Sequence, residues 1–302
     1  MMTTMSEISL TPDPRPLGKS GIAVSPLAWG MWRFAGRPVD EARRLVEAAF
    51  DAGITLFDTA DIYGFESVDK GFGDAETLLG RLFAEAPALR GKMVLATKGG
   101  ITPPVPYDSG RDYLMAALDA SLTRMGVDHV DLYQVHRPDI LTHPQELART
   151  LDDMVASGKV RSVGVSNMTR HQTTALASFL ATPLASLQPE FSPLHLAPMV
   201  DGLFDLAMER DYAVLAWSPL GGGRLGDSSP VAAALDERAR AYGVSRAAAT
   251  YSWIMAHPAR PIPIVGTQQA WRIAEAADAF KVRWSRQHWY DVLVAARGEK
   301  LP

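Results

Sequence analysis

Short apolar runs alternate with amphipathic segments along almost the whole chain of 302 residues. Several runs are apolar at every position, which is typical of parallel strands that are covered on both faces. The segments between them repeat apolar residues at i, i+3 and i+4, a spacing that predicts helices. The predicted strands are 26–29, 55–57, 93–97, 129–135, 160–165, 186–188, 213–217 and 262–265. The predicted helices are 39–52, 75–84, 111–125, 144–156, 170–180, 200–209, 230–257 and 271–280.

Eight strands that are each followed by a helix predict an α/β fold, a (β/α)8 barrel that forms a single domain over residues 1–302. No Pro-, Gly- or Ser-rich linker divides the chain. Residues 15–25 are predicted to form a hairpin that caps the bottom of the barrel. An extra helix and tail are predicted at the C-terminus, and residues 1–13 are expected to be disordered.

Composition narrows the classes of function. The net charge is −4, and no segment concentrates basic residues as a nucleic-acid-binding or membrane-binding surface does. The chain has no cysteine, which excludes disulfides, cysteine-based zinc sites and thiol nucleophiles. No apolar run reaches the ~18 residues of a membrane span and no signal-peptide core precedes Pro14, so we expect a cytoplasmic protein. His129, His136 and His143 share no helix face, so we expect no metal site.

Ionisable residues stand at the ends of three consecutive predicted strands. The second strand ends at Asp58, the third at Lys98 and the fourth at His136, and Tyr63 follows on the loop after Asp58. Each of these residues alone is more often structural than functional. Because the carboxyl ends of barrel strands meet on one face, where such barrels carry their chemistry, we expect the four side chains to converge.

These four residue types suit proton transfer to an oxygen. The pKa of a tyrosine is about 10, and a neighbouring ammonium group is expected to lower it. Asp58 would keep Lys98 charged and fix its direction, and His136 could hydrogen-bond a carbonyl oxygen. The set lacks a hydride donor, so an organic cofactor must supply one if the reaction is a reduction.

A glycine-rich stretch gives a misleading cofactor signal. Gly221, Gly223 and Gly226 match the spacing G-x-G-x-x-G. A dinucleotide fingerprint opens the first strand–helix unit and has an acidic residue about 20 positions later. Here the stretch follows the seventh strand and Arg246 stands 20 positions after Gly226, so we reject that interpretation.

Better cofactor signals lie at the ends of the later strands. Ser166 and Asn167 end the fifth strand and Gln188 ends the sixth, where they can bind polar groups. Trp217 ends the seventh strand, and its ring could stack on a planar heterocycle or simply pack in the core. After the eighth strand, residues 266–267 lead into a helix that bears Arg272, and a helix N-terminus with an arginine attracts phosphate.

The chain resembles the aldo-keto reductases over essentially its whole length. The matching segments are "FDTADIYG", "GDAETLLG", "ATKGG", "DLYQVHRPD", "GKVRSVGVSN", "LAWSPLGGG" and "PIVGT" followed by "RI", in the order and spacing of the family. Within the family it is most similar to the bacterial branch that has "HRPD" after strand four.

The resemblance implies reversible reduction of an aldehyde or ketone to an alcohol with NADPH, with NADH as an alternative. It implies that Tyr63 donates the proton, that Lys98 and Asp58 tune it, and that His136 orients the carbonyl. Ser166, Asn167 and Gln188 would hold the carboxamide, and Trp217 would stack on the nicotinamide. The complete set expected at the cofactor is Gly30, Met31, Trp32, Asp58, Ser166, Asn167, Gln188, Trp217, Ser218, Pro219, Leu220, Gly221, Gly223, Arg224, Gly266, Thr267, Gln268, Gln269, Arg272 and Glu275.

The chain departs from the family at three positions. Trp217 replaces a frequent Tyr or Phe and keeps the stacking role. The lysine that often follows the eighth strand is absent, which leaves Arg272 as the main charged partner of the adenosine 2′-phosphate. Ala276 stands where the family often has an amide residue after Glu275, so one adenine contact is missing.

The substrate is expected to be a small-molecule carbonyl or alcohol. The predicted pocket has aromatic walls, which favour a hydrophobic or ring-bearing carbonyl. Its predicted residues are Trp32, Tyr63, Tyr107, His136, Arg137 and Met168. Arg137 could bind an anionic or hydroxylated group, or form a salt bridge with Asp139. The sequence names neither the substrate nor the oligomeric state, although a monomer is slightly preferred.

Two other functions stay open at this level. One is a non-catalytic protein that senses nicotinamide nucleotides through the same fold. The other is a different barrel enzyme, such as a sugar isomerase or a glycosidase. A glycosidase needs paired carboxylates across its site, and Glu190 is the sole plausible partner of Asp58.

Overall fold

The computed structural model describes residues 7–67, 70–226 and 228–301. Eight parallel strands close into a barrel, and two short antiparallel strands form a hairpin outside it. The hairpin strands are β1 (Arg15–Pro16) and β2 (Ala23–Val24). The barrel strands are β3 (Ala28–Gly30), β4 (Leu56–Asp58), β5 (Val94–Gly99), β6 (Leu132–Val135), β7 (Val163–Ser166), β8 (Leu184–Gln188), β9 (Ala213–Ala216) and β10 (Ile262–Val265). Neighbours follow chain order and β10 pairs with β3, so the predicted (β/α)8 barrel is confirmed.

Helices surround the barrel. They are α1 (Val39–Asp51), α2 (Asp74–Glu85), α3 (Arg111–Met125), α4 (Pro144–Ala156), α5 (Arg170–Ala177), α6 (Ala197–Val200), α7 (Leu203–Arg210), α8 (Pro230–Tyr242), α9 (Arg246–Met255), α10 (Ala270–Glu275) and α11 (Arg286–Arg297). Short 3₁₀ segments cover Pro87–Lys92, Gly221–Gly223 and Ala276–Lys281. Within the described parts of the chain, no helix has the length and hydropathy that a membrane crossing requires.

Two predicted helices are each divided in the structure. The predicted helix 230–257 is α8 followed by α9, because Gly243 ends α8 at φ +63° and Ser245 caps the N-terminus of α9. The predicted helix 200–209 gives way to α6 and α7, with Gly202 at φ +84° between them. The helical spacing of apolar residues continues through both breaks, so the sequence pattern did not predict them.

Two predicted strands begin later than expected. The predictions 129–135 and 160–165 correspond to β6 and β7, which start at Leu132 and Val163. Val130 and Val160 form only an isolated bridge with each other. Apolar character continues through these residues because both are buried, so composition could not show where the regular pairing starts.

The hairpin lies across the amino-terminal end of the barrel, as predicted. Leu17, Ile22 and Val24 share one buried cluster with side chains of the barrel strands. A Cβ atom on Gly18 would lie 2.4 Å from the carbonyl oxygen of Ala185, the second residue of β8. Only glycine allows this approach, and the bottom of the barrel is therefore closed.

The C-terminal segment packs on the outside of the barrel as the predicted extra helix, α11. Trp289 of this helix stacks on Trp253 at 4.9 Å with nearly parallel rings. Ile8 exchanges two backbone hydrogen bonds with Trp284. The expectation of disorder for residues 1–13 is therefore wrong at Ile8, because Trp284 supplies a hydrogen-bond donor and an acceptor to its backbone. Residues 1–6 lie outside the described residues.

Candidate active site

The four predicted catalytic side chains meet at the carboxyl ends of neighbouring strands. Asp58 is the last residue of β4, Lys98 is the fifth residue of β5, and His136 follows β6 directly. The loop after β4 carries Tyr63 back over Lys98, and its hydroxyl lies 3.1 Å from Nζ. The ring of His136 lies edge-on to the ring of Tyr63, with 5.8 Å between their centroids. Parallel pairing in register brings these strand ends together.

Lys98 is fully buried and uses all three of its donors. Nζ donates to Oδ2 of Asp58 at 2.7 Å, to the carbonyl oxygen of Thr59 at 2.7 Å and to the hydroxyl of Tyr63. Burial opposes its charge, but Asp58 and Tyr63 outweigh burial and raise the pKa of Lys98 above its ordinary value. The residue is therefore an ammonium group with a fixed direction.

The carboxylate of Asp58 is held from both sides. Oδ2 accepts from Lys98, while Oδ1 accepts from the amide nitrogen of Gln188 at 2.9 Å and that of Gln134 at 3.4 Å. Ser186 in turn donates to the amide oxygen of Gln134 at 3.2 Å. Sequence reasoning did not select Gln134 or Ser186, although Gln134 stands two residues before His136 and so points to the same side of its strand.

The pKa of Tyr63 differs from the expectation. Burial raises it above its ordinary value, and the lowering effect of Lys98 offsets this only in part. The expected net decrease is therefore wrong for the chain without a ligand, because removal from water opposes the phenolate more than the ammonium favours it. Tyr63 is consequently a protonated phenol at neutral pH, in contact with a cation that would stabilise its conjugate base.

His136 is a neutral imidazole. Burial and the positive charges of Lys98 and Arg137 keep its pKa well below the ordinary value. Its Nδ1 is buried and has no hydrogen-bond partner among the described residues. The ring can therefore serve as a hydrogen-bonding group without carrying charge.

The alternative salt bridge of Arg137 is not formed. Asp139 accepts instead from the backbone of Ser109 and Leu141 and from the hydroxyl of Thr142. Three local donors satisfy this carboxylate, and the guanidinium of Arg137 lies over the ring of Trp217.

Ser166, Asn167, Gln188 and Trp217 form one hydrogen-bonded group across β7, β8 and β9. Nε1 of Trp217 donates to Oδ1 of Asn167 at 2.9 Å, and Nδ2 of Asn167 donates to Oγ of Ser166 at 2.8 Å. Ser166 donates to the backbone carbonyl of Gln188. Asn167 has φ +59°, a conformation that asparagine tolerates better than most residues. Sequence reasoning selected all four, and the fold places them side by side.

The predicted phosphate-binding residues lie at two neighbouring places on the same face. After β9, the turn Gly221–Gly223 has positive φ throughout, and Arg224 is tied to Gly221 and to Glu190. Gly266, Thr267, Gln268 and Gln269 connect β10 to α10, which carries Arg272 and Glu275. Arg272 is exposed and makes no ion pair with the described residues. Ser218, Pro219 and Leu220 form the segment between β9 and the glycine turn.

The segment after β3 contacts both the loop after β10 and the loop that carries Tyr63. Gln268 donates to the backbone carbonyl of Gly30 at 3.0 Å, and Trp29 donates to that of Thr267. Met31 is buried, whereas Trp32 is exposed and stacks on Tyr63 with 6.4 Å between centroids. A cleft of about 270 Å³ borders Trp32. Among the other predicted pocket residues, Tyr107 is exposed and Met168 is buried.

The residues present fit a nicotinamide nucleotide. Gln188 keeps one N–H and its amide oxygen free of hydrogen bonds to described residues. The glycine turn leaves its backbone open, since a Cβ on Gly222 or Gly223 would meet nothing within 4 Å. In the described part of the chain, no group of three His, Asp or Glu side chains is arranged to hold a metal ion.

Comparison with known proteins decides the family. The model of the aldo/keto reductase family matches residues 26–292. The chain belongs to the aldo/keto reductase family. The chain is therefore an oxidoreductase that reduces carbonyls, and this excludes a glycosidase or a sugar isomerase.

Relatives and solved structures agree with this assignment. The chain is 60% identical over 305 residues to a 6-dehydroglucose reductase of Novosphingobium aromaticivorans, covering 99% of this chain and 100% of that one. It is 37% identical over 295 residues to a 6-dehydroglucose reductase of Agrobacterium fabrum, covering 93% and 97%. A thermostable aldo-keto reductase crystallised with the inhibitor epalrestat superposes with a TM-score of 0.82 at 24% identity, over 94% of this chain and 99% of that one, which shows the shared fold.

Proposed function

We propose that this reductase converts an aldehyde or ketone reversibly to an alcohol with NADPH and that Tyr63 donates the proton. One observation carries the proposal: the hydroxyl of Tyr63 accepts a hydrogen bond from Lys98, which is itself held by Asp58. A protonated phenol beside a permanently charged ammonium group is a general acid whose conjugate base is already stabilised.

Each residue of the group has a separate task. Tyr63 donates its proton to the carbonyl oxygen, and the ammonium of Lys98 stabilises the phenolate that remains. Asp58 compensates the buried charge of Lys98 and fixes its position. The neutral ring of His136 donates an N–H to the same carbonyl oxygen and orients it toward Tyr63. When bound, NADPH supplies the hydride.

The nucleotide would lie along the strand ends from β7 to β10. Ser166, Asn167 and Gln188 would hold its carboxamide, and the ring of Trp217, fixed by Asn167, would stack on the nicotinamide beside Gly30, Met31, Trp32 and Asp58. Residues 218–224 would cover the pyrophosphate, and residues 266–269 with Glu275 would hold the adenosine. Arg272 would bind the 2′-phosphate, because it is an exposed fork without a carboxylate partner among the described residues.

A sugar aldehyde is the substrate class that we propose. The relative from Novosphingobium is a 6-dehydroglucose reductase and matches this chain over its full length. The exposed ring of Trp32 beside Tyr63 offers a flat surface on which a sugar ring can stack. We retain the cytoplasm as the expected location.

Titration with NADPH and with NADH, followed by quenching of tryptophan fluorescence, tests the cofactor. Tighter binding of NADPH would support the role of Arg272, and equal binding would make NADH a full alternative. Turnover is then measured with NADP⁺ and glucose, the alcohol that corresponds to 6-dehydroglucose, and with simple aldehydes and NADPH. Binding of the nucleotide without turnover of any carbonyl would favour the nucleotide-sensing alternative.

A further inference from the structure

Arg137 stands at the reacting end of the site. It follows His136 directly, and its guanidinium carbon lies 5.7 Å from the centroid of the Trp217 ring. Burial is the largest influence on the pKa values of His136 and Tyr63, and the charge of Arg137 is among the smaller ones that lower both. The guanidinium therefore lies within electrostatic range of the two groups that would contact a substrate carbonyl.

The charge of Arg137 has no anionic partner in the described parts of the chain. Asp139 is satisfied by three other donors, and Glu190 pairs with Arg224. No described residue accepts a hydrogen bond from the Arg137 side chain. Its one described contact is the face of Trp217, which fixes its position without using its donors.

A half-buried guanidinium with free donors is arranged for oxygen atoms that arrive with a ligand. Its planar fork presents parallel N–H groups that bind two oxygens at once. The side chain is partly exposed, so these N–H groups are open to the oxygen atoms of a bound ligand.

We infer that Arg137 determines substrate specificity by binding hydroxyl oxygens on the carbons next to the reacting carbonyl. This inference rests on the proposed function and narrows it to polyhydroxylated aldehydes over plain ones. The shared chemistry is an oxygen acceptor close to the carbonyl, which a carboxylate could also supply. We assign hydroxyls, because the sugar aldehyde proposed above carries hydroxyls near its carbonyl and no carboxylate.

The test compares three carbonyl substrates in the full-length enzyme with NADPH. Propanal has no further oxygen, glyceraldehyde has two hydroxyls, and glyoxylate has an adjacent carboxylate. Arg137→Met keeps the length of the side chain and removes its donors, and Arg137→Lys keeps the charge without the fork. Arg81→Met, an exposed arginine of α2, is the matched control.

Arg137→Met is expected to lower kcat/KM for glyceraldehyde about 10- to 100-fold and to change that for propanal less than about threefold. Arg137→Lys should restore part of the loss. Equal losses on both aldehydes, or no loss on either, would overturn the inference. A larger loss for glyoxylate than for glyceraldehyde would overturn the choice of hydroxyls.

Failure of the proposed function gives a different result. In that case the wild type reduces none of the three substrates, and binding is measured instead by ligand-observed NMR with glycerol and 1-propanol. Weaker binding of glycerol alone in Arg137→Met would uphold the recognition of hydroxyls. Equal binding of glycerol to wild type and variant would overturn it.

Discussion

The side-chain amide of Gln188 lies 2.9 Å from Oδ1 of Asp58, across 130 positions of sequence. The other oxygen of the carboxylate holds Lys98 at 2.7 Å. Gln188, which we propose to bind the nicotinamide carboxamide, thus contacts the ion pair of Asp58 and Lys98. Lys98 in turn contacts the proposed proton donor, Tyr63. Asp58 is consequently the central acceptor of the site, and its loss would affect stability as well as chemistry.

Asp58→Asn should lower the free energy of unfolding by about 3–5 kcal/mol, because it leaves the fully buried ammonium of Lys98 without a compensating charge. The double variant Asp58→Asn/Lys98→Met should recover part of that loss. Urea denaturation of the three proteins checks this. A double variant that is no more stable than the single one would contradict the compensation argument.

Tyr63→Phe should lower the rate of carbonyl reduction about 10²- to 10⁴-fold, since it removes the proposed general acid. Binding of NADPH should stay nearly unchanged, as followed by tryptophan quenching. Tyr212→Phe is the matched control, because Tyr212 directly precedes β9 at the opposite end of the barrel. Unchanged turnover in Tyr63→Phe would remove Tyr63 from its proposed role.

The pH profile of kcat/KM for reduction should be flat between about pH 6 and pH 8, near the ordinary pKa of histidine. Burial and the charges of Lys98 and Arg137 keep the pKa of His136 well below its ordinary value, while burial raises the pKa of Tyr63 above its ordinary value. Because the pKa of His136 is lower in the folded chain, the stability linked to it is fully present above the ordinary pKa and is lost as the pH falls from the ordinary toward the depressed pKa. A kinetic pKa near 6.5 that disappears in His136→Gln would show that the imidazole titrates in the working range.

Asp61→Asn should flatten the dependence of stability on pH. Both carboxyl oxygens of Asp61 are buried, and burial, with the charge of Glu76, raises its pKa well above the ordinary value. The folded chain therefore keeps a proton that the unfolded chain releases, so stability falls as the pH rises from the ordinary toward the raised pKa. Melting temperatures between about pH 5 and pH 8 measure this, with exposed Asp40→Asn as the control. Parallel curves for wild type and Asp61→Asn would refute the prediction.

Arg272→Met should weaken binding of NADPH about 10- to 100-fold and leave that of NADH nearly unchanged, because only NADPH carries the 2′-phosphate. The two dissociation constants are read from tryptophan quenching. Arg286→Met, an exposed arginine at the start of α11, should change neither. Equal weakening of both nucleotides would assign Arg272 to the shared part of the cofactor.

The local pattern of apolar residues predicted the strands of the barrel well and the breaks within its helices poorly. Strand β10 was predicted at its observed bounds, because a fully buried strand reads as a continuous apolar run. The break between α8 and α9 was missed, because the apolar period continues past Gly243, where the backbone turns left-handed. Position on the strands also indicated Asp58, Lys98 and His136, since closure of a parallel barrel brings strand ends to one face.

The sequence by itself determined the barrel, the family and the identity of the residues at its carboxyl-terminal face, because periodicity and strand order are properties of the chain. Only the tertiary structure decided how those residues act on one another. It gave Asp58 a partner in Gln134, excluded Asp139 as the alternative partner of Arg137, and raised the pKa of Tyr63 where a decrease was expected. The physical reason is that hydrogen bonds and pKa values depend on distance and on exclusion of water, and both are set by segments that are far apart in the chain.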